Sequence, residues 1–174
     1  MNEGFELETV SIRLVKDAPL FSKTEMNTPE KAVGVLWKHL HDFDREVICV
    51  INLNNRLMSI NVNFASVGAV DQALAYPREL FKSSILSNAS HMMLLHNHPS
   101  GSLRPSEKDI DMTKQMRKLC DMMGIPLLDH IIIGPDRNEY YSFRDNGEVF
   151  REHGQREKIA DVLRAVASAN ERAR

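Results

Sequence analysis

Residues 91–109 read HMMLLHNHPSGSLRPSEKD, and the rest of the chain is organised around them. The apolar run from His91 to His98 has the length of a buried strand, and Pro99 ends it because proline has no N–H for a sheet ladder. Ser100 to Pro105 is then a loop, and a helix is expected from about Ser106 to Met123, stopped by Gly124 and Pro126. Residues two apart on a strand face the same side, so His96 and His98 present two imidazoles together at its end. The loop returns the chain into a helix whose first turn carries Asp109. Two neutral imidazoles and a carboxylate are the ligand set of a catalytic zinc, with a fourth position left for water. Such a site brings the pKa of its water toward about 7 and yields a nucleophile at neutral pH.

Hydrolysis also needs a base to take the water's proton and deliver it to the leaving group. Glu46, opening the run EVICVINL (46–53), is the candidate, since a residue at the end of a strand can reach across a sheet. A donor for the developing oxyanion is supplied by Ser106, one helical turn before Asp109 on the same face. Each residue also has an ordinary reading. Ser106-x-x-Asp109 is a variant of the capping box that starts helices, and a lone His-x-His pair is more often surface or core than ligand. The conjunction His-x-His-x7-Ser-x2-Asp, however, should arise by chance in roughly one of a thousand chains of this composition. Capping and ligation are also compatible, because a carboxylate has two oxygens.

Outward from this segment, strands and helices alternate without the long β-α-β rhythm of a Rossmann fold, so a mixed α/β or α+β sheet is expected. Val10 to Val15 alternates with period two and reads as a half-buried strand. Thr28-Pro29 caps a helix running to about His41. Glu46 to Leu53 and Arg56 to Phe64 form a hairpin across Asn54-Asn55. Pro77 opens a second helix, Leu127 to Ile133 is a further strand, and Glu139 to Phe143 another. The tail after Gln155 has helical spacing at Ile159, Val162, Leu163 and Val166. The chain thus divides into an extension over 1–28 that adds a strand, a central domain over 29–147, and a C-terminal helix within 148–174.

With 174 residues, 43% apolar and 26% charged, the chain can bury a core as one domain and is neither disordered nor fibrous. Its 22 basic and 24 acidic residues leave a net charge of −2, so nucleic acid would have to be held by a local patch rather than by overall charge. Cys49 and Cys120 lie in apolar stretches without a nearby base, which fits a reducing compartment and argues against a nucleophilic role. No signal peptide or bilayer-spanning run is present, so a cytoplasmic protein without membrane attachment is expected. His130 is either a buried structural histidine or an outer hydrogen-bond partner of a metal ligand. Asn97 and Ser100 either orient substrate or shape the turn after His98. Arg104 and Lys108 flank the site, either as contacts for a substrate carboxylate or phosphate or, more in keeping with a loop, as solvated charges. His39, His41 and His153 read as surface. The methionines 112, 116, 122 and 123 read as core filler or a subunit contact, which leaves a homodimer open.

His96, His98, Ser106 and Asp109 match the JAMM/MPN+ metalloprotease signature in type and spacing. The wider string HNHPSG, PS, LLDHIIIG and YSF resembles the RadC branch of that superfamily over about Pro29 to Gly147. The resemblance implies a mixed, curved β-sheet flanked by helices, similar to the cytidine-deaminase layout. It also implies zinc held by His96, His98 and Asp109, a water-orienting glutamate matched best by Glu46 with Glu79 as fallback, and Ser106 stabilising the tetrahedral intermediate. The stretch before Pro29 is too short for the helix-hairpin-helix module usual in RadC proteins, so the match is to a stand-alone RadC-like JAB domain.

Three functions compete. The first is a zinc-dependent hydrolase, a metallopeptidase or isopeptidase acting on a peptide or protein. The second is a DNA-repair or mobile-element protein acting on or near DNA, including as a metal-dependent nuclease. It requires DNA affinity that falls steeply with salt. The third is a scaffold with a decayed site, against which the complete ligand set argues.

Overall fold

The computed structural model describes residues 11, 13–17, 20, 25–68, 76–147 and 149–150. Five strands form one mixed sheet in the order β2-β1-β3-β4-β5, with helices on both faces. β1 (Val47–Leu53) pairs antiparallel with β2 (Ser59–Val67) and with β3 (His91–Asn97), β3 pairs parallel with β4 (Leu127–Ile133), and β4 pairs antiparallel with β5 (Tyr140–Ser142). The α/β expectation of a mixed sheet flanked by helices therefore holds.

α1 (Pro29–Leu40) begins where the Thr28 hydroxyl accepts from the Lys31 amide and Pro29 fills the first helical position, where its missing N–H is no loss. Its Ala32, Val33, Leu36 and Leu40 pack on one sheet face with Val47, Cys49, Ile51, Met93, Leu95 and Ile131. The opposite face, with Ile48, Val50, Met92 and Leu94, is covered by α2 (Pro77–Leu86) and α3 (Glu107–Met123) through Leu80, Phe81, Met116 and Cys120. Alternate strand residues thus feed two separate cores, which is why β1 is buried along its whole length. α3 joins the two parallel strands, so its N-terminus arrives at the end of β3.

Element bounds differ from expectation at β2 and β5. β2 begins at Ser59, not Arg56, because Asn54 accepts from the amides of Arg56 and Met58 and Leu57 turns with φ +60°, lengthening the connection. β5 is shorter than expected because Phe143 opens a four-residue helix, α4 (Phe143–Asn146), with Ser142 accepting from the Asp145 amide. In the strand expected over 10–15, Val10 and Ile12 lie outside the described residues. Leu14 and Val15 are in no strand and are 45% and 85% exposed. The C-terminal helix expected in the tail also lies outside the described residues.

Asp129 ties β4 to β5 and α4. Its carboxylate accepts from the Ser142 hydroxyl and from the amides of His130 and Arg144. Burial nevertheless pushes this carboxyl up to about 6. An acid whose pKa is raised on folding favours the folded state most when protonated. Its contribution is fully present below about pH 4 and is lost as pH rises through about 6, a change of about 3 kcal/mol. Asp129→Asn, which keeps an acceptor oxygen, should therefore flatten the stability profile between pH 4 and 7 in denaturant titrations. Parallel profiles for parent and variant would contradict this.

Candidate metal centre

The end of β3 meets the start of α3 here. His96 lies on the α3 side of β3, continuing the row of Met92 and Leu94. His98 falls one residue past the observed strand, so the pairing of the two imidazoles depends on the turn as well as on strand alternation. That turn is closed by the Gly101 amide donating to the His98 carbonyl, 2.9 Å, and Gly101 sits at φ +71°, a conformation that side chains disfavour. Ser100 contributes to the same turn, its hydroxyl accepting from the Ser102 amide.

Asp109 is the third residue of α3. Its Oδ2 accepts from both the amide and the hydroxyl of Ser106, while its own amide donates to the Ser106 hydroxyl, so the capping box is complete. The cap engages Oδ2 and leaves Oδ1 facing His96 Nε2 at 3.2 Å. His98 Nε2 lies 3.3 Å from Oδ2 and 3.0 Å from His96 Nε2. Capping by Asp109 is therefore geometrically compatible with ligation by the same side chain.

The donor set fits a metal. A tetrahedral zinc with ligands at about 2.0–2.1 Å sets neighbouring donor atoms about 3.3–3.4 Å apart. The two Nε2 atoms are 3.0 Å apart, and each lies 3.2–3.3 Å from one Asp109 oxygen, His96 from Oδ1 and His98 from Oδ2, which is close to that spacing. His98 Nδ1 is 2.7 Å from the Ser102 carbonyl, which can only accept, so Nδ1 carries the proton and the neutral ring's Nε2 lone pair points into the site. Burial works against charge on both partners. On His98 it is outweighed by Asp109, the Ser102 carbonyl and Glu46, which together raise the pKa above its usual value. On Asp109 it is outweighed by His96, His98 and Ser106, which hold the carboxyl far below the usual carboxylate range.

Glu46 directly precedes β1, and with His98, Ser100, Ser102, Arg104 and Ser106 it lines an open cleft beside the candidate ligands. The alternative glutamate, Glu79, lies on the outer side of α2, paired with Lys82 and Arg78, and is not among the residues lining the cleft. Asn97 turns away from the turn and clamps the lead-in to β1. Its Oδ1 accepts from the Val47 amide at 2.8 Å and its Nδ2 donates to the Arg45 carbonyl at 3.0 Å. One buried side chain thus holds the backbone on both sides of Glu46, a role that no sequence pattern announces.

His130 is buried and satisfied, and it also touches a candidate ligand: its Nε2 lies 2.8 Å from His96 Nδ1. Thr113, one turn along α3 from Asp109, completes the far side and has no sequence signal. Burial, with the nearby His96 adding to it, holds the His130 pKa well below the ordinary value. Cys49 and Cys120 are free and buried, and burial pushes both thiols up to about 12, which excludes them as nucleophiles. Among the described residues, no helix is long and apolar enough to cross a membrane.

Sheet order, flanking helices and a His-x-His pair facing a helix-borne carboxylate define a mixed α/β domain of JAB/MPN architecture. A family profile described as RadC-like JAB domain matches residues 26–148. The chain is 36% identical over 135 residues to a UPF0758 protein of Desulfitobacterium hafniense, covering 78% of this chain and 58% of that one. It is 35% identical over 127 residues to one of Clostridium acetobutylicum, covering 73% and 55%, and 39% identical over 112 residues to one of Desulforudis audaxviator, covering 64% and 49%. The chain belongs to the RadC-like JAB domain family. That membership places it in the JAMM-like superfamily of metal-dependent hydrolases. It spans about half the length of the curated relatives it matches.

Proposed function

We propose that the chain is a zinc-dependent hydrolase of the JAMM type, acting as a metallopeptidase or isopeptidase on a peptide or protein. The observation that carries this reading is the convergence of His96 Nε2 and His98 Nε2, 3.0 Å apart, on the Asp109 carboxylate, whose Oδ1 and Oδ2 lie 3.2 Å and 3.3 Å from them respectively, at the edge of an open cleft. These three side chains hold the metal, whose contribution is Lewis acidity and an activated water near neutral pH. Glu46 takes the proton and returns it to the leaving group. The Ser106 hydroxyl donates to Asp109 Oδ2 at 2.6 Å and lines the cleft. Rotating it toward a developing oxyanion leaves Oδ2 still bonded to the Ser106 amide, so the cap survives the turnover. Two free, buried cysteines support a reducing, cytoplasmic setting.

The test is to load the chain with zinc and offer it mixed peptides, isopeptide-linked lysine peptides and single- and double-stranded DNA. Cleavage of a peptide or isopeptide bond, abolished by a chelator and restored by zinc, is expected. Cleavage confined to DNA would replace this reading with the nuclease one. No cleavage of any of them would contradict a hydrolase.

A further inference from the structure

The candidate ligand His96 is the end of a buried hydrogen-bond chain that starts inside α3. Thr113 Oγ1 lies 2.5 Å from the Asp109 carbonyl and 2.6 Å from His130 Nδ1, and His130 Nε2 lies 2.8 Å from His96 Nδ1. All three side chains are at most 1% exposed, so no bulk water is available to substitute for a missing partner. The chain has a direction. Two oxygens 2.5 Å apart need a proton between them, and the Asp109 carbonyl has none, so the Thr113 hydroxyl donates to it. A hydroxyl has one proton, so toward His130 the Thr113 oxygen can only accept, and His130 Nδ1 carries the N–H. The neutral His130 ring then offers a lone pair at Nε2, which accepts from His96 Nδ1–H. The remaining lone pair of His96 is at Nε2, facing His98 and Asp109.

Reversing the chain would place a proton on His96 Nε2, in the middle of the ligand cluster, and leave the Thr113 and Asp109 oxygens in contact without a hydrogen. The ring of His130 is also held in plane, stacked on Phe143 with centroids 4.9 Å apart and a 4° angle, so it cannot swing to offer another atom. We propose that Thr113 and His130 are positioning residues that fix the tautomer of His96, keeping its Nε2 lone pair turned into the metal site. This inference rests on the proposed metal reading, and it explains why one ligand is set by a buried chain while His98 is set by a single loop carbonyl.

The experiment is zinc affinity, measured by competition with a chromophoric chelator at neutral pH, on the full chain and on Thr113→Val, Thr113→Ser and His130→Phe. Metal-free melting is followed in parallel. Outer partners of ligating histidines typically contribute 10–100-fold to metal affinity. Thr113→Val, nearly isosteric and less disruptive than a change at His130, is expected to weaken zinc by about that factor, with Thr113→Ser close to the parent. His130→Phe should weaken it at least as much. A Thr113→Val chain that melts lower but binds zinc like the parent would reduce both residues to packing and overturn the proposal. Equal weakening by Thr113→Ser would overturn it too, because the hydroxyl would then be irrelevant. A parent chain that binds no zinc would instead refute the metal reading, and the relay with it.

Discussion

Glu46→Gln is expected to leave zinc content and folding unchanged while lowering turnover by about 10²–10⁴-fold, the usual contribution of a positioned general base. The substitution keeps size and removes the charge and with it the ability to accept and return a proton. It sits just before β1, outside both cores, on a backbone held by Asn97 through Val47 and Arg45 rather than by its own side chain's burial. Measured on whichever substrate the parent cleaves, a variant with undiminished turnover would remove Glu46 from the chemistry.

Asp109→Ala is expected to lose the metal and about 1 kcal/mol of stability together, because it removes both the ligating oxygen and the acceptor that completes the cap. Asp109→Asn separates the two effects. An amide oxygen still accepts from the Ser106 amide, so most of the stability should return, while the loss of charge keeps zinc affinity low. Denaturant unfolding and metal analysis on the two variants measure the two roles independently. Full zinc retention in both would mean that the carboxylate is a helix cap and nothing more.

Legibility in the sequence followed distance along the chain. His96, His98, Ser106 and Asp109 fall within fourteen residues, on a strand end, a turn and a helix start whose signals are local, and all were readable. Only His98 differs in setting, lying in the turn rather than on the strand. Glu46 is fifty residues from His96, and what joins them is the antiparallel register that sets Ile48 opposite His96. Strand spacing could nominate it, but only the sheet brings it to the cleft. Thr113, Ser102 and Asn97 act through hydrogen bonds to a buried ring or to backbone atoms, and such bonds leave no periodic trace. His130 was visible as a candidate outer partner, but its 2.8 Å contact depends on β4 lying parallel to β3. Of the alternation at 10–15, the described Leu14 and Val15 are exposed and in no strand, since alternation is only a capacity to pair.

The most direct measurement is the metal content of the purified chain after zinc is supplied and excess removed. One zinc per chain, released by acid or chelator, is the expected result. No bound metal at neutral pH would leave His96, His98 and Asp109 as a hydrogen-bonded cluster at the head of a helix, and the hydrolase reading would fall.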